Sequence, residues 1–165
     1  MHEDAAPGSG GGLEIRSEGE RRIVMTRRFA ARPEPVFEAL TTPGLLLGWM
    51  HGPAGWRMVH CRFDARAGGR YRYVWRGQGG ASMAAAGVIE EIVPPTRLVT
   101  IERFDDDWTG GDVTSVFALA DDGDGTLLTV TSAYASAQAR DAALATGMER
   151  GVEAGYARLD RILAG

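Results

Sequence analysis

The chain has no lysine: all 18 of its basic residues are arginine, set against 22 acidic ones, for a net charge of −4. That balance lacks the basic stripe that a phosphate backbone requires, so nucleic acid is not an expected partner. A single cysteine, Cys61, excludes an internal disulfide and fits a reducing compartment. No apolar run approaches the roughly 20 residues that a membrane-spanning helix needs. Residues Met1–Gly12 lack the basic and apolar segments of a secretory leader. These absences lead us to expect a cytoplasmic protein. Paired metal ligands are missing as well, with no His-x-x-x-His and no Cys-x-x-Cys. His60 and Cys61 are neighbours on one strand pattern, so they point to opposite faces and cannot share an ion. The acidic runs "FDDDWTGGD" and "DDGDGT" lack the spacing and closing glutamate of a calcium loop. The glycines near 77–80 and at 110–111 do not join a strand to a helix with phosphate-loop spacing. Neither a metal nor a cofactor is expected.

What is present describes one domain. With 165 residues, 44% of them hydrophobic, the chain is long enough for a single proper core. "MHEDAAPGSGGG" is too small and polar to offset its ordering entropy. Residues 1–19 are therefore expected to be a disordered tail, and residues 20–165 one folded unit.

From Arg21 the pattern becomes periodic. "RRIVMTRRF" places Ile23, Met25 and Phe29 on one face of a strand. "RPEPVFEALTTPGLLLGW" reads as two short helices, with Pro33 and Pro35 in the first turn of one and Thr42-Pro43 starting the next. In "RMVHCRFD", Val59, Cys61 and Phe63 share one face, and Met58, His60 and Arg62 the other. "GGRYRYVWRG" alternates most clearly, with Tyr71, Tyr73 and Trp75 facing in and its arginines facing out. Two strands, Met83–Val93 and Arg97–Phe104, are separated by Pro94 and Pro95, which cannot donate to a ladder. A hairpin follows around "DDGDGT". Ala145, Met148, Val152, Tyr156, Leu159 and Leu163 then recur at spacings of three and four. They mark an amphipathic helix over 138–163, capped by Ser136, with Gly147 and Gly151 as the places where it can bend or break. One sheet with an apolar face needs a cover, and this helix is the element large enough to supply it. A twisted sheet curling around a single helix leaves a hollow between them.

The residues "VFEALTTPGLLLGWM", "GGRYRY", "GVIEEIVPPTRLV", "DGTLLTVT" and "GYARLDRILA", in that order and spacing, resemble the START/polyketide-cyclase (SRPBCC) superfamily. Within it the chain is similar to homologues of the heat-shock-chaperone ATPase activator (AHSA-type). The resemblance covers about residues 21–164. It implies an α+β helix-grip fold, with a curved antiparallel sheet of about seven strands wrapped around a long C-terminal helix. It also implies an internal cavity of the kind in which relatives hold lipids, hormones or aromatic polyketides. The activator's separate N-terminal domain has no counterpart in the 19 residues before the first strand, so a chaperone partner is not expected.

The expected activity is binding of a small apolar or aromatic molecule. Expected ligand contacts are Trp49, Tyr71, Tyr73, Trp75, Met83, Phe104, Trp108, Phe117, Met148 and Tyr156, with Glu90 or Arg62 orienting the guest. Trp49 and Trp108 are the expected lids. Glu90 and Glu91 alternate, so one of them is expected to face the hollow. There a carboxylate would be desolvated and suited to acid–base work, unless Arg62 or Arg103 pairs with it. A cyclase- or hydrolase-type enzyme using such a carboxylate is the alternative reading, and a stress-related interaction module is another. A homodimer through a sheet edge or a helix face is compatible with the pattern.

Overall fold

The computed structural model describes residues 12–165. Its strands are β1 (Glu14–Glu18), β2 (Arg22–Phe29), β3 (Arg57–Phe63), β4 (Arg70–Arg76), β5 (Ser82–Val93), β6 (Arg97–Phe104), β7 (Val113–Asp122) and β8 (Gly125–Ala133). Its helices are α1 (Pro33–Thr41), α2 (Pro43–Trp49), α3 (Ala137–Ala145) and α4 (Met148–Leu163). All eight strands join one sheet in the order β1-β2-β8-β7-β6-β5-β4-β3, each pair antiparallel. This is the helix-grip architecture, with one strand more than the expected seven. The extra strand is β1, which pairs Glu14–Glu18 with Arg22–Thr26 across a tight turn. The tail expected to be disordered over 1–19 is therefore ordered over this stretch. Backbone pairing, together with Leu13 N donating to Glu153 Oε1 at 3.1 Å, offsets the ordering cost of a polar segment. The rest of that expected tail, residues 1–11, lies outside the described residues.

Local chemistry accounts for the element ends. Pro33 and Pro43 open α1 and α2, where a missing amide hydrogen costs little. The Ser136 hydroxyl caps α3 by accepting from Ala139 N at 3.0 Å. The helix expected to run through 138–163 breaks at Gly147, which adopts a left-handed φ of +70° between α3 and α4. Pro94 and Pro95 end β5, and the chain turns within Pro94–Thr96 to start β6.

Two β-bulges displace the simple alternation. One lies between Met58 and His60 on β3. It places Val59 outside and turns Met58 inward opposite Trp75, while Cys61 and Phe63 face Tyr73 and Tyr71. The expected facing of Val59 and Met58 is thus reversed. The second lies between Ile89 and Glu91 on β5, and it leaves both Glu90 and Glu91 exposed.

The concave face is covered by α1 over β7 and β8, by α2 against β3, and by α4, which packs on α1 and α2. Helix α4 buries Gly151, Gly155, Tyr156 and Leu159. A Cβ at Gly155 would stand 3.2 Å from the Trp49 carbonyl oxygen, so this glycine lets α4 lie against the end of α2. Arg27 fastens α4 to the sheet. Its guanidinium donates to Glu153 at 3.1 and 2.9 Å and to Asp160 at 2.9 Å, with only 3% of the side chain exposed. No described helix is long and apolar enough to cross a membrane.

Candidate functional site

The in-facing side chains of β3 to β6 build an aromatic ladder. Ring centroids run Phe63–Tyr71 at 5.3 Å, Tyr71–Tyr73 at 4.8 Å, Tyr73–Trp75 at 5.6 Å, Trp75–Phe104 at 6.2 Å and Phe104–Trp108 at 5.0 Å. Such offset and tilted pairs favour contact between ring edges and faces. The ladder starts deep and ends at the surface: Tyr71 is 4% exposed and Trp108 is 39% exposed. Trp75 is fixed by donating from Nε1 to the Met50 carbonyl at 2.9 Å. Met83 sits across the β4–β5 ladder from Trp75 and is half-buried.

Beside the ladder stands Glu102. It is the in-facing residue of β6 opposite Gly87 on β5 and Val113 on β7. Gly87 makes the arrangement sterically feasible, because a Cβ there would overlap the Tyr71 ring. Tyr71 therefore lies flat across β5, and its hydroxyl donates to Glu102 Oε2 at 3.3 Å. Burial raises the Glu102 carboxyl from 4.5 to about 7, and the Tyr71 hydrogen bond opposes that rise. Burial likewise pushes Tyr71 and Tyr73 well above their usual range, with the Glu102 charge adding to both. Tyr134 is pushed up to about 12 by burial and then by Glu102. Glu102 remains half-buried, as do Phe104, Val113, Ser115 and Phe117, so this part of the concave face touches water. Below Glu102 the surface is polar: Thr100 is buried, and the Ser115 and Ser132 hydroxyls meet at 2.8 Å.

The other expected contacts fall elsewhere. Trp49 and Tyr156 make a second set of ring contacts with Phe29 in the same core, at centroid distances of 5.6 Å for Trp49–Tyr156 and 5.2 Å for Phe29–Tyr156. Trp49 is 4% exposed, and its Nε1 donates to the Ala39 carbonyl at 3.0 Å, which ties α2 to α1 rather than forming a lid. Met148 opens α4 half-buried, and its sulfur accepts from the Tyr134 hydroxyl at 3.9 Å. Phe117 lies further along the sheet, between Leu98 and Val130.

Glu90 is the clear correction: it sits at the β5 bulge and faces solvent, so it cannot orient a guest. Arg62 is also exposed, on the convex face opposite Arg72. Arg103 pairs outside with Asp112 at 2.8 Å. Neither arginine neutralises the in-facing carboxylate. That carboxylate is Glu102, and its in-facing position follows from counting alternate residues back from Phe104. Cys61 is half-buried against Tyr73, and burial raises its thiol to about 11, which makes it a poor nucleophile. His51 accepts from Met58 N at 3.0 Å through Nδ1, an arrangement that holds the ring neutral.

Two depressions stand out among the described residues. One, of about 290 Å³, is bordered by Glu14, Ile15, Arg16, Val24 and Thr26. The other, of about 370 Å³, is bordered by Ala54, Gly55, Trp56, Gln78 and Ala81. Neither is lined by residues of the expected hollow between sheet and terminal helix.

Sheet, terminal helices and in-facing aromatic wall together define a helix-grip domain. Residues 30–164 match the family described as Activator of Hsp90 ATPase homolog 1-like protein, and the chain belongs to that family. A crystal structure of a protein from Rhodobacter sphaeroides is 36% identical, covers 93% of this chain and 99% of its own, and superposes with a TM-score of 0.88. A protein from Chromobacterium violaceum is 26% identical over 87% of this chain and 98% of its own, with a TM-score of 0.75. The AHSA1 protein from Silicibacter pomeroyi shares the fold, at 22% identity, coverage of 87% and 97%, and a TM-score of 0.70. No curated protein matches the chain.

Proposed function

We propose that this chain binds a small, largely apolar molecule on the concave face, between the β4–β7 wall and the α3–α4 junction. The observation that carries this reading is the group of in-facing side chains that stay half-buried: Phe104 and Val113 beside the carboxylate of Glu102, Met83 across from Trp75, Phe117 further along the sheet, and Met148 at the start of α4. Side chains that merely fill a core reach closer to full burial, as Ile89 and Leu98 do in the same strands. Contact area and ring stacking supply the affinity, at about 25 cal/mol per Å² of apolar surface removed from water. Glu102 and Tyr71 supply the polar handle. The β6–β7 loop, which carries Trp108, is the route of entry.

The test is a thermal-shift and NMR screen of the full chain against fatty acids, flat phenolics and small aromatic amines. A stabilising hit must move the amide signals of β5, β6 and β7. If every hit maps to the convex face, the reading fails. A cyclase- or hydrolase-type reaction is the second reading, favoured by one observation: a carboxyl near neutrality hydrogen-bonded to a tyrosine. Turnover of a bound ligand, abolished in E102Q, would separate the two.

A further inference from the structure

We propose that the concave face is built for an organic cation, a protonated amine or quaternary ammonium carried on an aromatic or apolar body. This inference rests on the ligand-binding reading above and names the charge of the guest.

Among the described residues Glu102 has no cationic partner. A carboxylate offers about four lone-pair sites. Among the described residues its one hydrogen bond comes from Tyr71, and no ion pair includes it. The arginines that could have served are committed elsewhere. Arg27, the one buried arginine, is held by Glu153 and Asp160. Arg72 pairs with Asp105 at 2.7 Å and Arg103 with Asp112 at 2.8 Å, both on the outside of the sheet. A half-buried carboxylate with no cationic partner is costly, and none of the chain's 18 arginines compensates it.

The walls next to that carboxylate are rings. Tyr71 touches it, Phe104 is its neighbour two residues along the same face, and Trp108 packs on Phe104 in a tilted pair at 5.0 Å. Aromatic faces carry negative potential and attract cations. The carboxylate and the ring faces therefore select the same sign of charge, and both repel an anion. The rings also give an apolar body something to stack on. Trp108 reaches the surface, so a cationic head can slide past it from solvent to Glu102.

A cation beside Glu102 favours its ionised form. Binding then releases a proton wherever the empty site holds one, and affinity for the cation rises with pH up to about 8. The groups that face this carboxyl are Tyr71 and Tyr73 from β4, Thr100 from its own strand, Ser115 from β7 and Tyr134 following β8. None of them carries a positive charge.

The experiment is NMR titration of the full chain with benzyltrimethylammonium, benzyl alcohol and benzoate at about pH 8. The cation is expected to bind at least about tenfold tighter than the alcohol, with benzoate weakest. E102Q should lose at least about tenfold for the cation and keep its affinity for the alcohol. Trp108→Leu, at a partly exposed loop position, should weaken the cation more than the alcohol. Wild-type affinity for the cation should fall between about pH 8 and pH 6, and that of E102Q should not. Equal binding of cation and alcohol at the concave face would overturn the charge assignment while leaving the ligand-binding reading standing. So would a cation affinity unchanged in both variants. No probe shifting any residue of β5 to β7 would overturn both.

Discussion

Arg27 and Glu153 face each other across the boundary between the sheet and its last helix, joined by two parallel hydrogen bonds of 3.1 and 2.9 Å. Asp160, nearly two turns further along α4, takes a third guanidinium hydrogen at 2.9 Å. The arginine is enclosed and its partners are partly wet, so removing it strands two carboxylates beside an apolar wall. Arg27→Ala is expected to lower unfolding free energy by about 3 kcal/mol, read from urea denaturation. Loss of under about 1 kcal/mol would show that water replaces the clamp.

Gly87 and Tyr71 give the second prediction. Any side chain at 87 collides with the ring that lies over it. Gly87→Ala should cost about 1–3 kcal/mol from displacement of that ring. It should also break the Tyr71–Glu102 hydrogen bond, which Tyr71→Phe breaks without the collision. The difference between the two variants in chemical denaturation isolates the steric part.

Stability should depend on pH through Glu102. The folded carboxyl holds its proton more tightly than the unfolded one, since burial moves it from 4.5 to about 7. The stabilisation is complete below pH 4.5 and is lost as pH rises through 7. The unfolding free energy of wild type relative to E102Q should fall by on the order of 2–3 kcal/mol across that window. His51 acts in the opposite direction. Burial, then Arg158 and Arg57, hold its pKa below 6.5, so its contribution is present above 6.5 and fades on acidification. Because both proteins carry His51, the difference between them cancels it. A level difference curve would mean that Glu102 is already ionised at low pH.

The tryptophans should separate by accessibility. Trp49 and Trp75 are buried with their indole N–H groups bonded to carbonyls, whereas Trp108 is 39% exposed. Acrylamide should quench the accessible fraction of the fluorescence, to which half-buried Trp56 adds a smaller part, and Trp108→Phe should remove most of that fraction. Unchanged quenching in the variant would place Trp108 against protein in solution.

The sequence made most of this architecture legible. The aromatic alternation of β4 and the proline stop after β5 are local signals, and they landed within a residue of the observed elements. What alternation cannot register is a bulge. One extra residue at Val59 and one at Glu90 changed which side chains face inward; Glu90 falls outside, and the in-facing carboxylate is Glu102 on the regular strand β6. Strand β1 was hidden for a different reason. "EIRSE" has little apolar content, and its order comes from a neighbour's backbone and not from its own pattern. Composition shows that the Trp49 indole is large and apolar, but not that its N–H has a carbonyl waiting inside, which makes it a core residue where the sequence suggests a lid. The sheet's breadth, the glycine under Tyr71 and the unpaired carboxylate all depend on contacts between strands distant in the chain.

The bulge in β3 has a consequence for how these molecules behave in a crowd. Both rims of the sheet are guarded. One is kinked at Val59 and studded on its outer side with guanidinium groups, Arg57 set against Arg76 and Arg62 against Arg72. The other is only five residues long and alternates Glu14, Arg16 and Glu18. A copy presenting its own β3 rim meets a broken ladder and matching guanidinium groups, and the β1 rim offers only a short charged strand; both features disfavour strand-by-strand growth into filaments.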